Sequence, residues 1–276
     1  MVAVPSRPAY RLANREWRDA ISFRLGVPVP SLARGAGGGC DCHATFERRS
    51  QAIAQGDAPA SRRRRVRPRS VDVLGEHDMR CKFAYTLARH NGVQRELQRL
   101  VREAGVHVER CTVWELRAGA GDRSQKQADL LLRGWEGAAS ETLLDVGITH
   151  STIGTLFNNS KPWRGRGVPA NKYAGKKERG YMREIVAKQL PYSYTSFVVE
   201  TYGAFGKAAW SCIRSLCDPA THPKFEGDYN AWSNPNPLRD FHLSIGFAIQ
   251  RGNARMLQRC ASRRAGARGS YSSQRF

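Results

Sequence analysis

The chain has 276 residues, 41% of them hydrophobic, enough for one sizeable core or two small ones, so at least part of it is globular. Lys and Arg number 45 against 24 Asp and Glu, a formal charge of +21 that exceeds what solubility requires and points to a polyanionic partner. No apolar run approaches the roughly 20 residues that span a bilayer, and the opening MVAVPSRPAYRLANREW lacks the apolar core of a secretory signal, so the expectation is a soluble protein with no membrane partner. Seven cysteines, an odd number, argue against a disulfide framework and leave metal ligands or buried thiols in a reducing compartment.

In chain order, residues 10–32 form an amphipathic stretch with Trp17, Ile21, Phe23 and Leu25 as its apolar positions, ending at the prolines of GVPVPS. RGAGGG and CDCH follow, and then a polar, Ala/Arg/Ser-rich segment. Residues 44–73 bury too little apolar area to offset their chain entropy and read as a disordered basic insert. Inside it, RRRRVRPR begins with Arg62, Arg63, Arg64 and Arg65. That run reads as a nuclear import signal, or as a solvated linker that sticks to nucleic acid; the first reading places the protein in the nucleus.

From Phe83 the apolar spacing turns helical through Leu87, Val93, Leu97, Leu100 and Val101, and Gly105 closes the helix. VHVERCTVWEL (106–116) reads as a strand, ADLLLRGW as a second and ETLLDVGITH as a third, with a short GAAS turn that makes the last two a hairpin. A Gly/Pro/Asn-rich loop runs from Ser151 to Pro169. Residues 170–190 read as a helix despite Gly175 and Gly180. YTSFVVETYG (194–203) is a fourth strand and KAAWSCIRSLC (207–217) a helix. LRDFHLSIGFAIQRGNARMLQRCA closes the fold as a helix or helix pair, before a loose basic tail from Ser262. Helix, three strands, helix, strand and helix define an α/β core.

Two acids stand inside these apolar strands. Asp129 shares a face with Leu131, and Asp145 shares one with Leu143 and Gly147. Two buried carboxylates on neighbouring strands repel and cost several kcal/mol if left uncompensated, on the order of 2–7 per unpaired polar group. A divalent cation between them removes that cost. Mg²⁺, or Mn²⁺ in its place, takes one or two protein carboxylates and fills its shell with waters and phosphate oxygens. Either acid alone would equally fit an exposed strand edge; together they read as a metal seat.

The succession GEHDMRC, ARHNGVQREL, ADLLLRGW, LLDVGITH and FVVETYGAFG resembles the restriction-like endonuclease domain at the C-terminus of non-LTR retrotransposon polyproteins, a member of the PD-(D/E)XK nuclease superfamily. The resemblance covers residues 12–260 and is strongest over 75–210. It implies an αβββαβ core, and it implies that Asp129 and Asp145 are the two metal-binding acids. Ala128 stands where the family has proline, and Gly147 stands where the in-strand lysine of D-x-K is expected. Related retrotransposon nucleases carry that lysine on the following helix, ahead of a tyrosine, and KKERGY offers Lys177 before Tyr181, in one helical stripe with Tyr173; the alternative is an ordinary surface lysine.

The resemblance further implies that Glu96 on the first helix completes the metal site and that Glu200 is the glutamate of the family's VET, although either acid could instead be a salt-bridge partner. Arg89, His90 and Asn91 match the family's RHN, either as contacts to phosphate and active site or as local caps. Cys40, Cys42, His77 and Cys81 resemble the zinc knuckle that precedes the nuclease core; two unrelated thiol pairs are the alternative.

On this reading residues 1–43 are an N-terminal helical segment with the first half of the knuckle, 44–73 the insert, 74–217 the nuclease core, 218–260 a helical extension and 261–276 a basic tail. The implied activity is metal-dependent nicking of target DNA by phosphodiester hydrolysis. In a parent polyprotein, a neighbouring reverse transcriptase would extend the freed 3′-hydroxyl. The rival is a catalytically degenerate remnant that binds DNA or RNA, which the missing lysine at Gly147 favours.

Overall fold

The computed structural model describes residues 11–33, 72–79, 81, 86–111, 128–137, 140–151, 167–218 and 236–272. Cys40, Cys42 and Arg62 to Arg65 lie outside them, as does nearly all of the basic insert. The elements run α1 (Asn14–Leu25), α2 (Pro30–Ala33), α3 (Thr86–Glu103), β1 (His107–Arg110), β2 (Leu130–Arg133), β3 (Glu141–Thr149), α4 (Val168–Ala187), β4 (Ser193–Glu200), α5 (Lys207–Leu216) and α6 (Pro237–Ser272). The chain forms two compact units, one of His90–Gln250 and one of Met1–Arg89 with Arg251–Phe276.

The larger unit is mixed α/β. Its four-stranded sheet has the order β1-β2-β3-β4. The first three strands pair antiparallel, as the short turn between β2 and β3 requires, while β4 returns parallel to β3 through α4. The register sets Asp145 opposite Ser196 and Thr149 opposite Glu200.

The strand β3 is buried along almost all of ETLLDVGIT, as a strand covered on both faces must be. Leu144 and Val146 join Leu130, Leu132, Phe197 and Val199 in the main core, together with Val93, Leu97, Leu100 and Val101 of α3, which recur at one helical stripe. Leu143 on the opposite face meets Leu131, Tyr181 and Ile185. Leu87, expected in the apolar stripe of α3, is exposed.

Helix α4 runs unbroken through Gly175 and Gly180 because Ala170, Ala174, Tyr181 and Ile185 are anchored against the sheet and outweigh the propensity cost, about 1 kcal/mol per glycine. Its N-cap must be glycine. Gly167 has φ +75°, and a Cβ there would sit 2.4 Å from the Phe205 carbonyl oxygen.

The C-terminal segment departs from expectation. Of the two alternatives, helix or helix pair, the single helix is found, but in place of a loose tail from Ser262 α6 continues to Ser272. Pro237 stands at its first position, where proline is tolerated, and the Ala, Arg, Leu, Gln and Met beyond it are good helix formers. Its N-terminal part belongs to the α/β core, supplying Phe241, Ile245 and Ile249, so it is not an extension added outside that core.

In the smaller unit α1 buries Asp19, Ala20 and Phe23, while Trp17 and Leu25 of the expected apolar stripe are exposed. The buried Asp19 carboxylate is satisfied: it accepts from Ser31 N at 3.1 Å, Ser31 Oγ at 2.5 Å and Gln258 Nε2 at 2.9 Å.

Candidate active site

Asp129 stands one residue before β2, where the ladder to β3 changes partner. Its N–H still donates to Leu144 O at 3.1 Å, but Val146 N–H donates to the Asp129 carboxylate, at 2.7 Å from Oδ2. The main-chain oxygen of Asp129 is taken by Cys111 N and by Gln94 Nε2, each at 3.1 Å. The side chain therefore substitutes for backbone in the sheet and is held at its edge.

His90, on the first turns of α3, reaches the same point. Its Nε2 lies 3.2 Å from Asp129 Oδ2 and 3.2 Å from Val146 O. With two oxygen acceptors before one ring nitrogen, hydrogen bonding to Asp129 raises the His90 pKa above its ordinary value against the opposing effect of burial. Burial alone would raise the Asp129 pKa. Hydrogen bonds and the charge from His90, with the Val146 N–H, reverse that and hold it low.

Asp145, only 4% exposed in the middle of β3, sits beside Asp129 as a side-chain hydrogen-bond neighbour. Burial pushes its carboxyl up to about 6, Lys177 pulls it down and Asp129 pushes it up again. Protonation of Asp145 below about pH 6 relieves the repulsion of the two close carboxylates, and above it an opposite charge must offset that repulsion.

That counter-charge comes from α4. Lys177 Nζ lies 2.5 Å from Asp145 Oδ2 and donates to Val146 O at 3.2 Å. Its path crosses Gly147: a Cβ at that position would stand 3.2 Å from Lys177 Cε and 3.0 Å from both Tyr173 Cε1 and Val198 Cγ2. The space that an in-strand side chain would need is thus filled by the helix-borne lysine. Gly147 and Lys177 are two halves of one arrangement.

Tyr173, Lys177 and Tyr181 do form one stripe. The Lys177 ammonium lies 5.4 Å from the Tyr173 ring centroid, and the Tyr181 ring stacks on Tyr194 at 4.5 Å. Tyr194 Oη donates to Asp145 Oδ2 at 3.4 Å. Burial, then the Asp145 charge, raises the pKa of both tyrosines, so both stay neutral.

Other expected residues are placed elsewhere. Glu96 is turned about 120° round α3 from His90, at roughly 100° per residue, and pairs with Arg99 at 2.7 Å; it does not reach the aspartates. Glu200 lies four residues beyond Ser196, the partner of Asp145, about 13 Å along the strand at ~3.3 Å per residue. Its Oε1 accepts from Ala170 N at 3.4 Å, and Ser151 adds a hydrogen bond. Burial raises its pKa. It supplies the cap that Gly167 cannot give to α4.

Arg89 is a correction. It is buried, with Nη1 donating to Asn253 Oδ1 at 2.8 Å and lying 3.3 Å from Met79 Sδ, and burial lowers its pKa to about 10. A guanidinium so placed does not face a phosphate. His77 and Cys81 are buried, and the turn that carries His77 is fixed by Asp72, whose carboxylate accepts from Glu76 N at 3.0 Å and His77 N at 2.9 Å.

Gln94, Tyr194 and the Val146 carbonyl belong to the candidate site and were missed by sequence reasoning. Only Gln94 carried a signal, since it follows His90 by one helical turn. Among the described residues no group of three or more His, Cys, Asp or Glu side chains gathers as a cation cage; the site offers two carboxylates and a main-chain carbonyl. Comparison with protein-family models and with curated proteins finds no match to this chain.

Proposed function

We propose that the chain is a metal-dependent DNA endonuclease of the restriction-like type, derived from a non-LTR retrotransposon polyprotein, that nicks DNA by phosphodiester hydrolysis. The observation that carries this reading is Lys177 crossing Gly147 to reach Asp145 beside Asp129. The order α3-β1-β2-β3-α4-β4 supports it, being the order the resemblance implies. The nuclear location and the neighbouring reverse transcriptase belong to the same proposal.

The donor set fits Mg²⁺ or Mn²⁺. Asp129, Asp145 and the Val146 carbonyl present only hard oxygens, at the small protein-ligand count that Mg²⁺ prefers. When bound, such a cation would stabilise charge on the phosphate and activate water. The protein's own part is to hold these oxygens and to supply positive charge. His90 and Val146 N–H fix the Asp129 carboxylate. Lys177, at Asp145 in the metal-free protein, would orient the attacking water and hold the anionic phosphate oxygen. The zinc reading retains His77 and Cys81 as its described half, two buried residues four apart.

The degenerate-remnant reading draws on a different feature of the same contact: Asp145 Oδ2 is already engaged by an ammonium. Supercoiled-plasmid nicking decides between the two. The endonuclease converts plasmid to open circles with Mg²⁺ or Mn²⁺ and not with chelator. Wild-type protein that binds DNA yet never nicks with any divalent metal would establish the remnant.

A further inference from the structure

We propose that the solvent face of α4 is a binding rail for the backbone of duplex DNA, separate from the residues that touch the scissile phosphate. Lys172, Lys176, Arg179 and Arg183 are all exposed. They recur at i, i+4, i+7 and i+11, which at 3.6 residues per turn aligns them within about 60° of one another. The buried residues Ala170, Ala174, Tyr181 and Ile185 lie on the opposite side of the helix.

None of the four is held by an ion pair or hydrogen bond among the described residues. Several cations elsewhere are engaged: Arg99 by Glu96 and Glu103, Arg133 by Glu109 and Glu141, and Arg255 by Glu16. On α4 itself Glu184 pairs with Lys188, off the stripe. No other helix aligns four unpaired cations on one face among the described residues.

Four like charges left unpaired along one line repel each other and are stabilised by an external polyanion. The stripe is about 16 Å long at 1.5 Å per residue, close to the axial rise of four to five nucleotides of one strand at roughly 3.4 Å each. A sequence-independent contact to duplex DNA fits both the charge and the length. It rests on the nucleic-acid part of the reading above and not on catalysis. The stripe faces away from Lys177 and Asp145, so it holds duplex outside the cleavage point and contributes to affinity.

The test is the affinity of the full-length protein for a labelled DNA duplex, by fluorescence anisotropy over a salt series. In Lys172→Gln/Lys176→Gln/Arg179→Gln/Arg183→Gln the slope of log K against log[salt] should shrink by about 3 to 4, near 0.9 per lost phosphate contact. The milder Lys176→Gln/Arg183→Gln should shrink it by roughly half as much.

A control that removes the same charge from scattered exposed positions, Arg18→Gln/Arg24→Gln/Arg110→Gln/Arg214→Gln, should change it little. Equal losses in stripe and control, or no loss in either stripe variant, overturn the rail. A stripe-dependent slope in a protein that never nicks DNA keeps the rail and sinks the nuclease; a nicking protein with an unaltered slope does the reverse.

Discussion

Asp145 and Glu200 are both buried acids inside strands of one parallel pair, and burial raises the pKa of each. They differ in what they face. Around Asp145 stand a second carboxylate, a lysine ammonium and a phenol. Around Glu200 stand a helix N–H and a serine. An ammonium can give way to a metal ion, whereas a backbone N–H is fixed by its helix. Burial alone therefore does not single out a candidate metal-binding acid; the charge of the groups around it does.

The largest effect that would sharpen this contrast is on nicking rate. Asp129→Asn and Asp145→Asn keep shape and should leave the fold intact by circular dichroism, while lowering the rate roughly 10³-fold or more, several kcal/mol of transition-state stabilisation. Lys177→Ala should lower it about 10²-fold without loss of divalent-metal binding. Equal nicking by wild type and both aspartate variants would remove Asp145 from the catalytic side of the comparison.

The next effect is on stability. Gly147→Ala places a Cβ at 3.0 Å from Tyr173 and Val198 and 3.2 Å from Lys177, so denaturant unfolding should show a loss of about 1–3 kcal/mol, with nicking slowed because Lys177 is displaced. An alanine variant as stable and as active as wild type would break the link between the glycine and the lysine.

The pH dependence of stability has a defined sign. Asp145 has a folded-state pKa of about 6 against an ordinary 3.8, so the metal-free folded protein holds this proton more tightly than the unfolded chain. Its contribution is complete below 3.8 and is lost as pH rises through 6, at a rate of at most ~1.4 kcal/mol for each pH unit between those two values. Chemical denaturation in chelator at about pH 4.5 and about pH 7, on either side of most of that loss, should show wild type losing more stability than Asp145→Asn over the interval.

Glu200→Ala is the smallest expected change. It removes a helix cap and should cost about 1 kcal/mol in denaturation, with nicking by the folded protein retained.

The element order and the aspartate pair were legible in the sequence because each strand is an apolar run interrupted by one acid, and the Tyr173, Lys177, Tyr181 stripe follows from helical spacing alone. The rest depended on pairing in space. Glu96 and His90 sit on one helix, and which of them reaches Asp129 is a matter of its rotation against the sheet. Glu200 became a cap because the β3–β4 register carries it past Asp145 to the start of α4. Arg89, expected as a phosphate contact or a local cap, has a long stem that lets it lie buried against Met79 and Asn253. The Val146 carbonyl and the Tyr194 hydroxyl leave no trace in composition or periodicity.

The most direct test of the metal seat is Mn²⁺ binding at neutral pH, followed by electron paramagnetic resonance, in wild type, Asp145→Asn and Glu200→Gln. A seat formed by Asp129 and Asp145 predicts about one tightly bound Mn²⁺ per chain in wild type and in Glu200→Gln, and its loss in Asp145→Asn. Retention in Asp145→Asn together with loss in Glu200→Gln would contradict it.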